Sequence, residues 1–172
     1  MNRKEDIDAR IETLQEELEK LKKQRERLEI PVTERIKTFD DAVDELGSEH
    51  PLVKQYMAAA NGNKSFTRNT IAYIKLQIVA ASLNEGWFPD LLNKEKRWYP
   101  YYKIYAGDEI DDISPDATYL FGASCGLAYV SSFFAWSGAS SSVSARLAVK
   151  SKEISDYFGN QFIDIWAEYL LD

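Results

Sequence analysis

Few side chains in this chain have the chemistry of a catalyst. The one histidine, His50, stands directly before Pro51 in a polar stretch, with no serine or cysteine beside it to serve as a nucleophile. An imidazole in that place reads as the start of a helix facing water, because general-base work needs a proton donor within hydrogen-bond reach. The one cysteine, Cys125, lies between Ser124 and Gly126 in an uncharged region. A buried thiol there behaves as a small apolar group, and a lone cysteine excludes an internal disulfide or a multi-cysteine metal site. Five carboxylates, Asp108, Glu109, Asp111, Asp112 and Asp116, fall within nine residues. A hard cation would draw on Asp108, Asp111 and Asp112, but the spacing lacks the alternating acids and central glycine of an EF-hand. A solvated, self-repelling loop without metal is expected there. Walker loops, dinucleotide glycine patterns, zinc spacings and nucleophile elbows are all missing from the sequence. The expectation is a protein that is not an enzyme and carries no cofactor.

Two further groups of residues have binding chemistry. Arg97, Trp98, Tyr99, Tyr101 and Tyr102 place a cation among aromatic rings. Such a set stacks on bases or sugars and is the candidate ligand surface, although strands use the same residues for core and cross-strand packing, the reading favoured here. Arg146 closes an uncharged run, residues 117–145. A guanidinium entering so apolar a region needs carboxylate or carbonyl partners, so Arg146 is expected to be a structural anchor.

The elements that must position these residues are legible in the spacing. Ile7, Ile11, Leu14, Leu18, Leu21 and Leu28 recur at four and three residues, with Ile11 and Leu18 at heptad position a, the others at d, and Arg25 the polar a residue. The intervening positions are nearly all Glu, Lys, Arg and Gln, which favour helix. A stripe this narrow on a helix this long must pair with copies of itself or dock on the chain's own globular part, and pairing is the reading favoured here. The run Arg10-Ile11-Glu12-Thr13-Leu14-Gln15 nearly matches a parallel-trimer pattern, whereas Arg25 at a core position favours a dimer. A homotrimer is expected, with the dimer as alternative. Pro31 ends the helix. Thr38-Phe39-Asp40-Asp41 is a capping box that opens a short helix with Phe39, Val43 and Leu46 inward, stopped by Gly47. Pro51 suits the first turn of another, carrying Leu52, Val53, Tyr56 and Met57. Residues 70–84 read as a longer helix with a broad apolar face. Strands are expected over 98–105, 119–121, 127–136 and 145–150, with Pro100 marking an edge strand. One last helix, capped by Ser151, carries Ile154, Tyr157, Phe158, Phe162, Ile165, Trp166 and Tyr169 inward. The fold class is α+β: a coiled-coil oligomerisation helix over 1–30, a linker over 31–37, and a domain over 38–172 with helices on a small antiparallel sheet.

Composition limits the function classes. The 172 residues are 45 % hydrophobic and carry 21 basic against 28 acidic side chains, a net charge of −7. That balance disfavours nucleic acid and anionic membranes as partners. Residues 1–30 hold eight basic and nine acidic side chains, leaving no apolar core for a signal peptide. The uncharged run 117–145 is broken by Gly122, Gly126 and Gly138, which suits buried strands better than a membrane span. The expected location is the cytoplasm or a virion.

Four segments carry a resemblance: Leu83-Asn84-Glu85-Gly86-Trp87, Trp98-Tyr99-Pro100-Tyr101-Tyr102, Ser144-Ala145-Arg146-Leu147-Ala148-Val149-Lys150-Ser151 and Tyr157-Phe158-Gly159-Asn160-Gln161-Phe162. In this order they resemble a group of small proteins common in phages and mobile elements of gut Bacteroidetes. The likeness covers roughly residues 38–171 and departs at Ala148-Val149, where that group often has Cys-Phe, and in the N-terminal heptad helix. It implies an origin and no activity. With the heptad helix it leads to the expectation of a non-enzymatic, phage-related structural or multivalent binding protein whose partners are its own copies and a protein of the particle or host. The alternative is a cytoplasmic effector that binds a host protein, nucleotide or nucleic acid.

Overall fold

The computed structural model describes residues 3–61, 66–90, 92–106, 118–121, 125–135 and 147–172. The chain divides into two compact units, residues 1–35 and 36–172. The first contains α1 (Arg3–Leu28) and the one-turn α2 (Val32–Arg35). At 1.5 Å per residue the 26 residues of α1 extend about 39 Å. The turn α2 falls where an irregular linker is expected; Pro31 suits a first helical turn, and its carbonyl accepts from Glu34 at 2.9 Å.

The second unit is α+β. Its elements in chain order are α3 (Phe39–Leu46), α4 (Pro51–Ala60), α5 (Arg68–Asn84), β1 (Arg97–Ala106), β2 (Thr118–Phe121), β3 (Cys125–Ala135), α6 (Lys152–Gln161) and α7 (Ile163–Leu171). The caps follow the sequence signals. Thr38 accepts from the Asp41 amide at 3.1 Å, while Asp41 accepts from the Thr38 amide at 2.8 Å. His50 caps α4 ahead of Pro51, Thr67 caps α5, and Ser151 caps α6. In α3 the residue that reaches full burial is Ala42; Phe39, Val43 and Leu46 stay half-buried, with Phe39 edge-on to Tyr56 at 4.8 Å.

The strands form one antiparallel sheet in the order β1-β3-β2. Pro100 lies on the edge strand β1, where a missing amide is tolerated. The register slips between Tyr101 and Tyr102, whose partners are Ser131 and Tyr129, so Val130 bulges. Helix α6 packs on β1 and β3, and α7 reaches β2, β3 and α5. Helix α5 is the centre, packed against α3, α4 and α7, with Ala72, Leu76, Ile78, Val79, Ala80 and Leu83 fully buried.

Two expectations are corrected. Residues 147–150 make no strand; a single bridge joins Val149 to Trp98. Two residues on from Trp98, Pro100 has no amide with which to extend that bridge. On the opposite side the segment is held by the buried Asn84 side chain, which donates to the Ala148 carbonyl at 2.9 Å and accepts from the Lys150 amide at 3.1 Å. The terminal helix is also two helices, broken at Phe162 (φ −114°, ψ 30°), which itself remains buried. The break lets α6 lie along β1 and β3 while α7 also meets α5 and β2, and it leaves the three-four spacing in phase.

Candidate functional site

All six heptad residues of α1, Ile7, Ile11, Leu14, Leu18, Leu21 and Leu28, are between 47 % and 64 % exposed in the single chain. Glu19 and Lys22 pair along the helix at 2.8 Å. The apolar stripe of this 26-residue helix, interrupted at Arg25, is thus left to water.

The aromatic cluster does not form one surface. Tyr102 turns inward and donates to the Gly159 carbonyl at 2.9 Å, and burial pushes its hydroxyl pKa well above the ordinary value. Arg97 is buried. Trp98 is half-buried, 5.0 Å from Phe134, and its backbone exchanges bonds of 3.0 and 2.8 Å with Val149. Tyr99 and the exposed Tyr101 lie on the other face beside Phe133, with Tyr101 edge-on to Phe133 at 5.1 Å. Cross-strand packing accounts for the rings.

A polar network beneath α6 has no sequence signature. Tyr129 donates to Asp156 at 2.5 Å, Lys152 donates to the same carboxylate at 2.6 Å, and Ser132 donates to the buried Ser155 at 2.7 Å. Burial, with the adjoining Asp156 carboxylate, pushes Tyr129 up to about 12. Burial also pushes Asp156 up, but the bonds from Lys152 and Tyr129 outweigh it and leave its pKa below the usual carboxylate value. Every member has a partner, so the network fastens α6 to β3 and offers no activated nucleophile.

His50 and Cys125 are likewise accounted for. The His50 ring accepts from the Leu52 amide through Nδ1 at 3.3 Å, and Cys125 opens β3, half-buried and outside any disulfide. The described residues include no group of acidic, histidine or cysteine side chains that could hold a metal ion. Asp108, Asp111, Asp112 and Arg146 lie outside the described residues.

What sequence reading misses is a cleft of about 480 Å³ in the second unit. Leu46 and Leu52 form one wall, Gln77, Ala81 and Asn84 of α5 another, and Trp87, Phe88 and Pro89 a third. His50, Gly86 and Ala148 also line it. This volume belongs to small-molecule sites, which span roughly 300–1,000 Å³. The loop after α5 is fixed: the Trp87 amide donates to the Asn84 carbonyl at 2.8 Å, and its indole donates to Glu95 at 3.0 Å. The same carboxylate accepts from the Asp90 amide at 2.7 Å.

No family model, no curated protein and no solved structure matches this chain. Among the described residues no helix is long and apolar enough to cross a membrane.

Proposed function

We propose that this chain is a non-enzymatic, phage-related structural or multivalent binding protein, with α1 gathering three copies, or two, into a parallel coiled coil. The observation that carries the reading is the exposed heptad stripe on a helix belonging to a separate compact unit. A side chain of this kind contributes about 1.5–3 kcal/mol when fully buried, so the stripe has a strong drive to self-associate. Gathering copies raises the effective concentration of whatever the second unit binds. The phage connection is supported by the four resembling segments. The cleft favours a second reading, an effector that takes a small ligand.

Light scattering on the full chain and on a form lacking residues 1–29 tests the assembly. The full chain should give two or three times the 19.7 kDa chain mass and the shortened form a folded monomer. Leu14→Glu with Leu18→Glu in the full chain should also yield monomers with unchanged near-ultraviolet circular dichroism. A monomeric full chain, or a shortened form that keeps the oligomer, overturns the reading.

A further inference from the structure

The Gln77 side chain is a polar group of the second unit with no hydrogen-bond partner among the described residues. It sits mid-helix on α5 at 4 % exposure and lines the cleft. Unlike Trp166 Nε1, which is enclosed without a partner, the Gln77 amide is open to the cleft rather than sealed in the core. Asn84, two helical turns further on and lining the same cleft, shows the usual outcome, with its amide spent on Ala148 and Lys150. Gln77 instead holds a donor and an acceptor side by side at the wall of the cleft.

The rest of the lining narrows the ligand. Among the described residues no Asp, Glu, Lys or Arg contributes to it, so the lining suits an uncharged molecule. His50 uses Nδ1 as an acceptor, which puts the ring proton of the neutral form on Nε2 and adds one donor. Two rings on consecutive positions, Trp87 and Phe88, belong to the pinned loop. Phe88 is 86 % exposed, an aromatic side chain at the mouth that a flat partner would cover. A trans peptide does not match Gln77, since its N–H and C=O point in opposite directions and one amide cannot take both. A heterocycle with a donor and acceptor on one edge does match, as glutamine does with the N6 and N7 edge of adenine.

We infer that this cleft binds an uncharged nucleobase or nucleoside, with Gln77 reading its donor–acceptor edge and Trp87 and Phe88 stacking on its plane. The inference deepens the effector reading and does not depend on assembly through α1, so a monomeric full chain would leave it standing. The test is titration of the full chain with adenosine, followed by tryptophan fluorescence and by ligand-observed nuclear magnetic resonance, with AMP as the charged comparison. Saturable adenosine binding is expected, with AMP no tighter. Gln77→Leu should weaken it at least about tenfold, the loss of one bidentate contact, without lowering the melting temperature of the free protein. Phe88→Ser, at a position too exposed to support the fold, should weaken it several-fold and keeps the test valid if the Gln77 variant misfolds. Absence of saturable binding by adenosine, guanosine and cytidine, or equal binding by both variants, overturns the inference, as does a clear preference for AMP.

Discussion

Replacing Gly159 by alanine adds one methyl group where α6 meets the sheet. An ideal Cβ there would stand 2.7 Å from both Cδ2 and Cε2 of Tyr129 and 2.8 Å from the Pro100 Cβ. Relaxed carbon contacts need about 3.5–4.0 Å, so roughly an ångström must be found at two places. Neither neighbour yields easily. Pro100 is a ring in a paired strand, and Tyr129 is held through its hydroxyl by Asp156 at 2.5 Å. The Gly159 carbonyl also accepts from Tyr102 at 2.9 Å, a bond that a shift of α6 would lengthen. Alanine favours a helix over glycine by about 1 kcal/mol, whereas overpacking costs about 1–3 kcal/mol for a methylene and more where strand and helix must part. Destabilisation wins, with an expected net loss of about 1–2 kcal/mol once the helix gain is subtracted. That corresponds to a fall of roughly 2–8 °C in the melting temperature of a unit this size. Calorimetry on Gly159→Ala is the assay, with Gly86→Ala as a control, where φ is +81° and the space is open. Gly86→Ala should lose about 1 kcal/mol through backbone strain alone. A Gly159→Ala protein that melts at or above the parent would refute the close-approach argument.

Asn84→Leu should cost about 2–4 kcal/mol, because the Ala148 carbonyl and Lys150 amide lose their shared partner; an unchanged urea midpoint would show that water replaces the side chain freely. Stability should fall as pH rises from 10 to 12, since folded Tyr129 keeps its proton up to about 12 while the unfolded side chain releases it near 10. Burial raises Tyr102 and Tyr157 in the same direction, so Tyr129→Phe should flatten the alkaline slope without abolishing it, and superimposable melting curves across that window would count against the shift.

Local patterns made much of this fold legible. The heptads of α1, the Thr38–Asp41 box, Pro51 at a first turn and the apolar faces of α5 each encode their element within a few residues. The β1 and β3 strands were equally open to reading, because aromatic and β-branched runs point to paired extended chain. What escaped depends on partners far away in sequence. Asn84 looks like a helix terminus, yet its side chain holds the Ala148 carbonyl and the Lys150 amide from far along the chain. Phe162 breaks a helix whose apolar spacing stays in phase, so periodicity carries no trace of the bend. The cleft draws on α3, α4, α5, the loop after α5 and Ala148, and Gln77 reads in sequence as one more polar helix former. Its significance lies in lining the cleft, which only three dimensions reveal.

The edge strand β1 has a bearing on how copies can coexist. Along its free side Trp98 exchanges both backbone bonds with Val149, and two residues on Pro100 has no amide to offer. Lys103 brings an exposed charge to the far half of the strand. An unprotected edge of this length is a template for another strand, and tethering raises that hazard, since short flexible links hold neighbours at about millimolar concentration. With the Trp98–Pro100 stretch already closed, sheets brought side by side cannot zip into a continuous β-ribbon from that end. The domains can be crowded together and still remain separate molecules in their folding.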